Sequence, residues 1–270
     1  MIKIRLIVRN CMTVMIISLI CALLIGGYRL SLILQTNAFF EENTNDIYTL
    51  VVYASNYINI ENVKYLYPIM GWMLYPTLIT HRLGEYVSDY YNKNSTLVFS
   101  RYGSRIRLYI INCFLMAIYI VIGNFIYILT CFLLGRRFGF VGEFVNSDVL
   151  VIFALSCLYM YMIQLSINVL SLYIKSLFST LFVYFVLILN ITAPYYLGSK
   201  IKTVLLRYGP ASQGIYLLHD RVKEPSVLLY GEEYSLGQFD IKFSVVYLSV
   251  LILLTQTSHI KMCLCTLKIQ

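Results

Sequence analysis

Charged residues are scarce in this 270-residue chain: 13% of its residues are Asp, Glu, Lys or Arg, whereas 59% are hydrophobic. Three stretches, 108–135, 149–174 and 176–199, contain no charged residue at all. Each is longer than the roughly 20 apolar residues that a helix needs to cross the hydrocarbon core of a bilayer. A soluble domain of this length needs more polar surface than this composition supplies. The sequence therefore predicts one all-α, polytopic membrane domain spanning 1–270.

Catalytic motifs are also missing. The chain has no G-x-x-x-x-G-K-[ST] phosphate-binding loop, no H-E-x-x-H, no G-x-S-x-G and no pair of C-x-x-C motifs. Cys263 and Cys265 form a C-x-C without a second ligand pair, so we expect no metal site and no cofactor in this chain. None of the seven cysteines lies in a long polar loop, and we expect free thiols. The net charge of +8 is scattered between apolar stretches, which favours membrane topology over nucleic-acid binding.

Six transmembrane helices are predicted, at about 10–35, 64–80, 108–135, 149–174, 176–197 and 243–260. The first resembles a signal peptide, but no A-x-A cleavage site follows it, and we expect an uncleaved helix. The second is short and contains Pro68 and Pro76, which remove backbone donors. Its Trp72 and the flanking Tyr65, Tyr67 and Tyr75 are typical of a helix anchored at a membrane interface.

Basic residues indicate the orientation. Lys3, Arg5 and Arg9 precede the first span, and more Lys and Arg residues lie between the second and third, so the positive-inside rule predicts that both segments are cytoplasmic. With an even number of spans, the N and C termini are both cytoplasmic in a multi-pass protein of the plasma membrane. Arg136 and Arg137 fall on the predicted outer side and argue against this arrangement.

The predicted cytoplasmic segment 81–107 mixes both charge signs with apolar residues just before the third span. We expect one or two short helices lying at the membrane surface. Glu85 and Asp89 are four residues apart and would share one helical face, which suits a docking element for a soluble partner. The alternative is a solvated loop whose basic residues only enforce topology.

The predicted outer segment 198–242 begins with apolar residues at helical spacing: Ile201, Val204, Leu205 and Tyr208. Because Lys200, Lys202 and Arg207 lie on the other faces, we expect an amphipathic helix at the membrane interface, ended by Pro210. Two interpretations stay open, an extracytoplasmic gate or exit element and an ordinary loop resting on lipid.

Polar residues inside the predicted spans are the remaining clues, because a charge in the membrane is costly and often marks a path or an ion pair. Arg29 lies in the outer part of the first span, where it either faces a central cavity and attracts an anionic group or extends to the lipid headgroups. The uncharged members of this set either bridge helices or line a path; they are Asn112, Asn124, Gln164, Asn168 and Asn190.

Two segments carry a resemblance. Residues 100–109, SRYGSRIRLY, resemble the R-Y-x-S-R segment that enters the third span of small Gram-positive permeases encoded beside peptide or bacteriocin genes. Residues 209–218, GPASQGIYLL, resemble the region before the last span of the same proteins. With its six spans and basic N-terminus, the chain thus resembles an ABC-2 type ABC transporter permease over nearly its whole length.

The resemblance implies a homo- or heterodimer of permease subunits in the lipid bilayer, each docked on a cytoplasmic ABC ATPase that holds ATP and Mg²⁺. The expected docking residues are Arg82, Glu85, Asp89, Arg101 and Arg105, and the expected substrate path includes Arg29, Gln164 and Asn168. The expected function is export of a peptide or another amphipathic substrate, or self-immunity to one, with no enzymatic activity in this chain and no nucleic-acid partner. The alternative is a stand-alone immunity or sensor protein that binds a peptide without ATP.

Overall fold

The computed structural model describes residues 2–40, 46–55, 66–93, 105–143, 147–171, 173–196, 204, 206–216, 219 and 240–265. Over these residues the chain is almost entirely helical, and the only strand-like pairing described is a single bridge between Asp46 and Val141. The helices are α1 Ile2–Cys21, α2 Gly27–Phe40, α3 Ile47–Ala54, α4 Leu66–Lys93, α5 Arg105–Arg137, α6 Ser147–Leu170, α7 Ser176–Tyr196 and α8 Ile241–Cys265. A π-helical turn, Ala22–Gly26, joins α1 to α2 without a break, and a 3₁₀ turn, Ser212–Gly214, precedes α8.

Five segments are long and apolar enough to cross a membrane: Ile7–Thr36, Tyr109–Arg137, Ser147–Leu170, Ser176–Ala193 and Ile241–Ser258. They coincide with five of the six predicted spans. The fourth predicted span, 149–174, ends earlier than expected, because α6 stops at Leu170. Lys175 lies exposed just before α7 begins at Ser176. These segments make the chain a helical, multi-pass membrane protein.

The predicted second span, 64–80, falls in α4 but is not among those five segments. α4 also does not end at Thr80: it continues unbroken through Lys93. The expectation of separate short helices in 81–107 is therefore wrong for residues 81–93, which extend the same helix. A run that mixes charged with apolar residues does not by itself end a helix, because its backbone hydrogen bonds form regardless of side-chain polarity.

α6 is the central helix of the bundle. It packs against α3, α4, α5, α7 and α8, and 56% of its membrane-spanning window is buried inside the protein. The corresponding value for α8 is 17%, so α8 lies at the periphery. Helices that are apolar all round are expected in lipid, where the outward faces meet acyl chains and not water.

Two short elements pack into one end of the bundle, which we call the cap end: α3 and the segment 206–216. Every residue of α3 is buried, and the helix contacts α2, the π-helical turn, α5 and α6. The Asp46 side chain begins α3 by accepting a hydrogen bond from the Tyr48 N–H at 3.1 Å. At eight residues, α3 is too short to span the bilayer and inserts only partway.

The turn that follows α5 holds α3 in place. The backbone N–H of Ile47 donates to the carbonyl of Val141 at 3.0 Å. Gly142 has a φ of +150°, and a Cβ there would lie 3.3 Å from Cβ of Ile47, so glycine suits both the conformation and the close approach. Arg136 donates to the Gly142 carbonyl at 2.7 Å and lies 5.4 Å from the centroid of the Phe132 ring. Arg136 thus has a local role at the C-terminal end of α5, where cations are stabilised.

Candidate binding cleft and predicted docking helix

Arg29 faces the protein interior. Its side chain is 8% exposed, on the cap-end half of the first span, and its guanidinium carbon lies 5.8 Å from the Tyr28 ring centroid. Of the two positions considered for Arg29, the structure has the one inside the bundle and not the one at the lipid headgroups.

The guanidinium lies in a cleft between α2, α3, α4 and α5. The cleft has room for about one water-sized group, and the surrounding space not filled by atoms, about 260 Å³, includes open solvent. It is lined by Ile25, Arg29, Tyr53, Ala54, Gly71, Trp72, Tyr75, Pro76 and Tyr127.

Aromatic rings form the walls of this cleft. Tyr75 and Tyr127 are stacked with centroids 4.2 Å apart, and the Tyr127 hydroxyl donates to the Ala54 carbonyl of α3 at 2.7 Å. Trp72 is 4% exposed, and its ring lies 6.3 Å from that of Tyr159 on α6. The expectation that Trp72 and Tyr75 anchor α4 at a membrane interface is therefore wrong: both rings pack inside the bundle. The tyrosines at 65 and 67 lie outside the described side chains.

Two residues that carry N–H donors, Arg29 and Trp72, line the cleft. Arg29 contributes a cation with five N–H donors. The indole Nε1–H of Trp72 is buried and has no acceptor among the described residues. Its neighbour Gly71 lies beside the arginine: a Cβ there would be 3.8 Å from an Arg29 Nη, an ordinary van der Waals distance. Arg29 and Trp72 thus line a cleft whose other walls are largely aromatic.

No protein-family model, curated protein or solved structure matches this chain. Its function is consequently argued from its own geometry. The fold class is shared by many unrelated membrane proteins and does not by itself indicate an activity.

The other two predicted path residues lie deep in α6, away from the lining of the cleft. Gln164 is fully buried, and neither of its amide atoms has a partner in the described part of the chain. Asn168 donates to the Gln164 carbonyl at 2.8 Å and to the sulfur of Met116 on α5 at 3.3 Å. Asn168 therefore bridges two helices, which is one of the two interpretations given for this group of residues, and a path at Gln164 stays a prediction.

Asn124 and Asn190 also make bridging contacts. Asn124 on α5 donates to the sulfur of Cys157 on α6 at 3.5 Å, and Asn190 on α7 accepts from the Ala211 N–H at 3.2 Å. Five cysteines are free thiols, as expected; they are Cys11, Cys21, Cys113, Cys131 and Cys157, whereas the side chains of Cys263 and Cys265 are not described.

The predicted docking residues are only partly described. Arg82, Glu85 and Asp89 all lie on α4, and Arg82 donates to the side-chain oxygen of Asn10 on α1 at 3.3 Å. Arg105 begins α5, and Arg101 lies outside the described residues. The helix confirms that Glu85 and Asp89 are one turn apart. This end of the bundle is opposite the cap end, because α4 runs antiparallel to α1 and α5.

The segment 206–216 is more buried than the sequence suggested. Val204 and Tyr208 point outward, as an interfacial helix requires, but every residue from Ala211 to Tyr216 is buried. Ser212 donates to the carbonyls of Leu206 and Gly209, and Gln213 donates to that of Arg207. This segment is therefore a packed element of the cap end, and the expectation of a loop resting on lipid is wrong for 211–216.

Histidine 219 completes this packing. Its Nε2 lies 2.7 Å from the Ser244 hydroxyl on α8, which in turn donates to the side-chain oxygen of Gln213 at 2.5 Å. Its Nδ1 lies 3.0 Å from the Tyr216 carbonyl. All of these side chains are buried, and the network attaches the segment to the first turn of α8. No spacing in the sequence links His219 to Ser244, so this network is not apparent without the fold.

Tyr48 of α3 and Tyr216 join the two cap elements through a hydrogen bond between their hydroxyl groups. Burial raises the pKa of Tyr216 to about 12, and the carboxylate of Asp148 adds to the rise. Burial likewise raises the pKa of Tyr48 above its ordinary value. Both groups are therefore neutral hydrogen-bonding tyrosines at physiological pH.

Proposed function

We propose that this chain is the transmembrane permease subunit of an ATP-driven ABC-2 type transporter that exports a peptide or another amphipathic molecule or confers self-immunity to one. The observation that carries the proposal is the continuity of α4, which runs from the cleft to the charged stretch 81–93 in one helix. A soluble ATPase that moved this stretch would act directly on the helix that carries Trp72.

Side-chain contacts couple α4 to its neighbours near the start of the charged stretch. Thr80 donates its hydroxyl hydrogen to the Pro76 carbonyl at 2.7 Å, so the Tyr184 hydroxyl of α7, 2.8 Å away, donates to Thr80. Arg82 links α4 to α1 through Asn10. A displacement at 81–93 would therefore be transmitted to α1, α4 and α7 together.

Co-purification tests the proposal. The tagged chain is expressed with the ATPase subunits encoded beside its gene and isolated in mild detergent, and we expect the ATPase to be recovered with it. Replacing Glu85 and Asp89 with lysine should lower the recovered ATPase at least tenfold. The matched control is Glu143→Lys, which reverses a carboxylate at the cap end, where Glu143 is exposed.

Recovery of the chain alone, with the ATPase present in the same cells, would overturn the transporter proposal. In that case, protection of the host that persists without any ATPase would favour the stand-alone immunity or sensor protein.

A further inference from the structure

We propose that His219 is a proton-binding site: in its doubly protonated form it attaches the cap segment 206–216 to α8, so that this attachment depends on pH. The ligand is the proton itself, and its binding would be a property of this chain alone, with or without an ATPase. Four described groups carry the evidence, and they are the His219 ring, the Ser244 hydroxyl, the Gln213 amide and the Tyr216 carbonyl.

The Gln213 amide has one favourable orientation. Its Nε2 donates to the Arg207 carbonyl at 2.6 Å, and a flipped amide would place two oxygens against each other there. Its Oε1 therefore faces Ser244 Oγ, 2.5 Å away, and this contact needs the hydroxyl hydrogen of Ser244. Because a serine hydroxyl has only one hydrogen, Ser244 must accept in its contact with His219.

Both ring nitrogens of His219 then have to be donors. Nε2 lies 2.7 Å from Ser244 Oγ, and a hydrogen lies between them only if Nε2 carries it. Nδ1 lies 3.0 Å from the Tyr216 carbonyl oxygen, which can only accept. A neutral imidazole has a single N–H and leaves two lone pairs facing each other in one of these contacts, whereas the imidazolium supplies a hydrogen to each.

The surroundings of the ring act on its charge in both directions. The segment packs against α6 and α8, bonds to the neutral Asn190 of α7, and meets α3 through Tyr48. Burial of the ring, which is 2% exposed, disfavours the imidazolium. The carboxylate of Asp148 favours it, because Asp148 bonds to the hydroxyl of Tyr216, whose ring centroid is 6.5 Å from that of the imidazole. The charged residues described on these elements and on the segment are Asp46, Asp148, Arg207, Asp240 and Lys242, of which the last three are exposed and screened by solvent.

The sign of the pH dependence follows from the hydrogen bonds. A histidine that the folded state holds protonated contributes stability that is complete below its unfolded pKa of about 6.5 and is lost as the folded site releases its proton at higher pH. The attachment of the segment to α8 should therefore be complete below about pH 6 and weaken as the pH rises above about 7.5. The tyrosines at this end of the bundle stay neutral over that interval.

Proton binding can be observed directly, because the chain has only three histidines: His81, His219 and His259. The purified full-length protein, labelled with ¹⁵N in its histidine rings, is titrated in detergent from about pH 5 to 9 and followed by NMR. The signals absent from His219→Gln belong to His219. We expect both of its ring nitrogens to be protonated at neutral pH, with a midpoint at least one pH unit above the ordinary value of about 6.5. A midpoint at or below that value would overturn the proposal.

Ser244→Ala tests whether the serine hydroxyl is the reason for the second proton. Without this hydroxyl, a neutral ring with its hydrogen on Nδ1 satisfies the Tyr216 carbonyl, so the midpoint of His219 should fall by at least one pH unit. Ser258→Ala, which removes an exposed hydroxyl from the same helix, should leave it unchanged. If His219→Gln fails to fold, His81→Gln and His259→Gln assign the other two histidines and leave the third signal to His219. An unchanged midpoint in Ser244→Ala would contradict the site.

Amide hydrogen exchange tests whether the proton holds the segment. After correction for the intrinsic effect of pH, exchange over 206–216 should be at least tenfold slower at about pH 6 than at about pH 8. His219→Gln should abolish this difference, and His81→Gln, which replaces an exposed histidine, should preserve it. Equal protection at the two pH values in the unaltered protein would show that the proton does not hold the segment, and would overturn the proposal.

Discussion

Gly214 lies flat against the ring of Tyr159: a Cβ at Gly214 would be 2.5 Å from the ring carbon Cγ, closer than any real contact. This contact joins the cap segment 206–216 to the central helix α6. The same Tyr159 ring also lies near the cleft, because its centroid is 6.3 Å from that of the Trp72 ring. The cap segment and the cleft are therefore separated by a single side chain.

Gly214→Ala should destabilise the protein by about 1–3 kcal/mol, because the added methyl group forces apart a packed contact. The thermal unfolding midpoint in detergent should fall, and Trp72 emission should change because Tyr159 moves. Gly27→Ala is the control: a Cβ at Gly27 has no neighbour within 4 Å, and alanine favours helix by about 1 kcal/mol over glycine. An unchanged midpoint in Gly214→Ala would show that the segment does not pack on Tyr159.

The five apolar spans could be predicted from sequence because hydropathy is a local property that needs no knowledge of neighbours. The partial insertion of α3 could not, since IYTLVVYA is apolar but shorter than any span, and its burial depends on Val141. For the same reason, the interior position of Arg29 was one of two open alternatives. An arginine near a helix end is compatible with either lipid headgroups or a cleft, and only the packing of α3, α4 and α5 decides.

The aromatic residues of α4 were the least reliable guide to whether a side chain lies at a membrane interface or in the core. Tryptophan and tyrosine are enriched both at membrane interfaces and in packed cores, so their presence in α4 does not separate the two environments. Trp72 and Tyr75 lie in the core here. Among the polar residues, Asn168 and Asn124 follow one of the two interpretations drawn from the sequence, because an amide buried in a spanning helix gains stability from a partner on a neighbouring helix.

Ser244→Ala should weaken the attachment of the cap segment to α8. The substitution removes the hydroxyl that lies between His219 Nε2 and the Gln213 side-chain oxygen, and each of these buried groups loses that partner. We expect a loss of about 1–3 kcal/mol, measured as a lower thermal unfolding midpoint and faster amide hydrogen exchange over 206–216. Ser258→Ala is the matched control in the same helix, because Ser258 is exposed and bonds only to the Leu254 carbonyl among the described residues. Equal midpoints for the two variants would refute the network.

The cap end should lose stability at alkaline pH, because the burial of Tyr216 and its neighbour Asp148 disfavour the charged phenolate. Folding raises the pKa of Tyr216 from 10 to about 12, so the unfolded chain loses the proton first. The stabilisation is complete below pH 10 and is lost as the pH rises toward 12. Hydrogen exchange at α3 should accelerate over this interval, and Tyr216→Phe should remove the Tyr216 share of the dependence. Tyr208→Phe, which changes an exposed tyrosine, should leave the profile unaltered. A profile that Tyr216→Phe does not alter would contradict the assignment.

The bond between Tyr184 and Thr80 should couple α4 to α7 by a measurable energy. Thr80 gives its one hydroxyl hydrogen to the Pro76 carbonyl, so Tyr184 must be the donor between the two side chains. Unfolding free energies of Thr80→Val, Tyr184→Phe and the double variant form a cycle whose interaction term isolates this bond. Hydrogen bonds between membrane helices average about 0.6 kcal/mol, with values of up to about 1.7, and both groups here are buried. We therefore expect a coupling of about 1 kcal/mol. Strictly additive effects would mean that the two helices are held together by packing alone, and displacement of α4 would then not require α7 to follow.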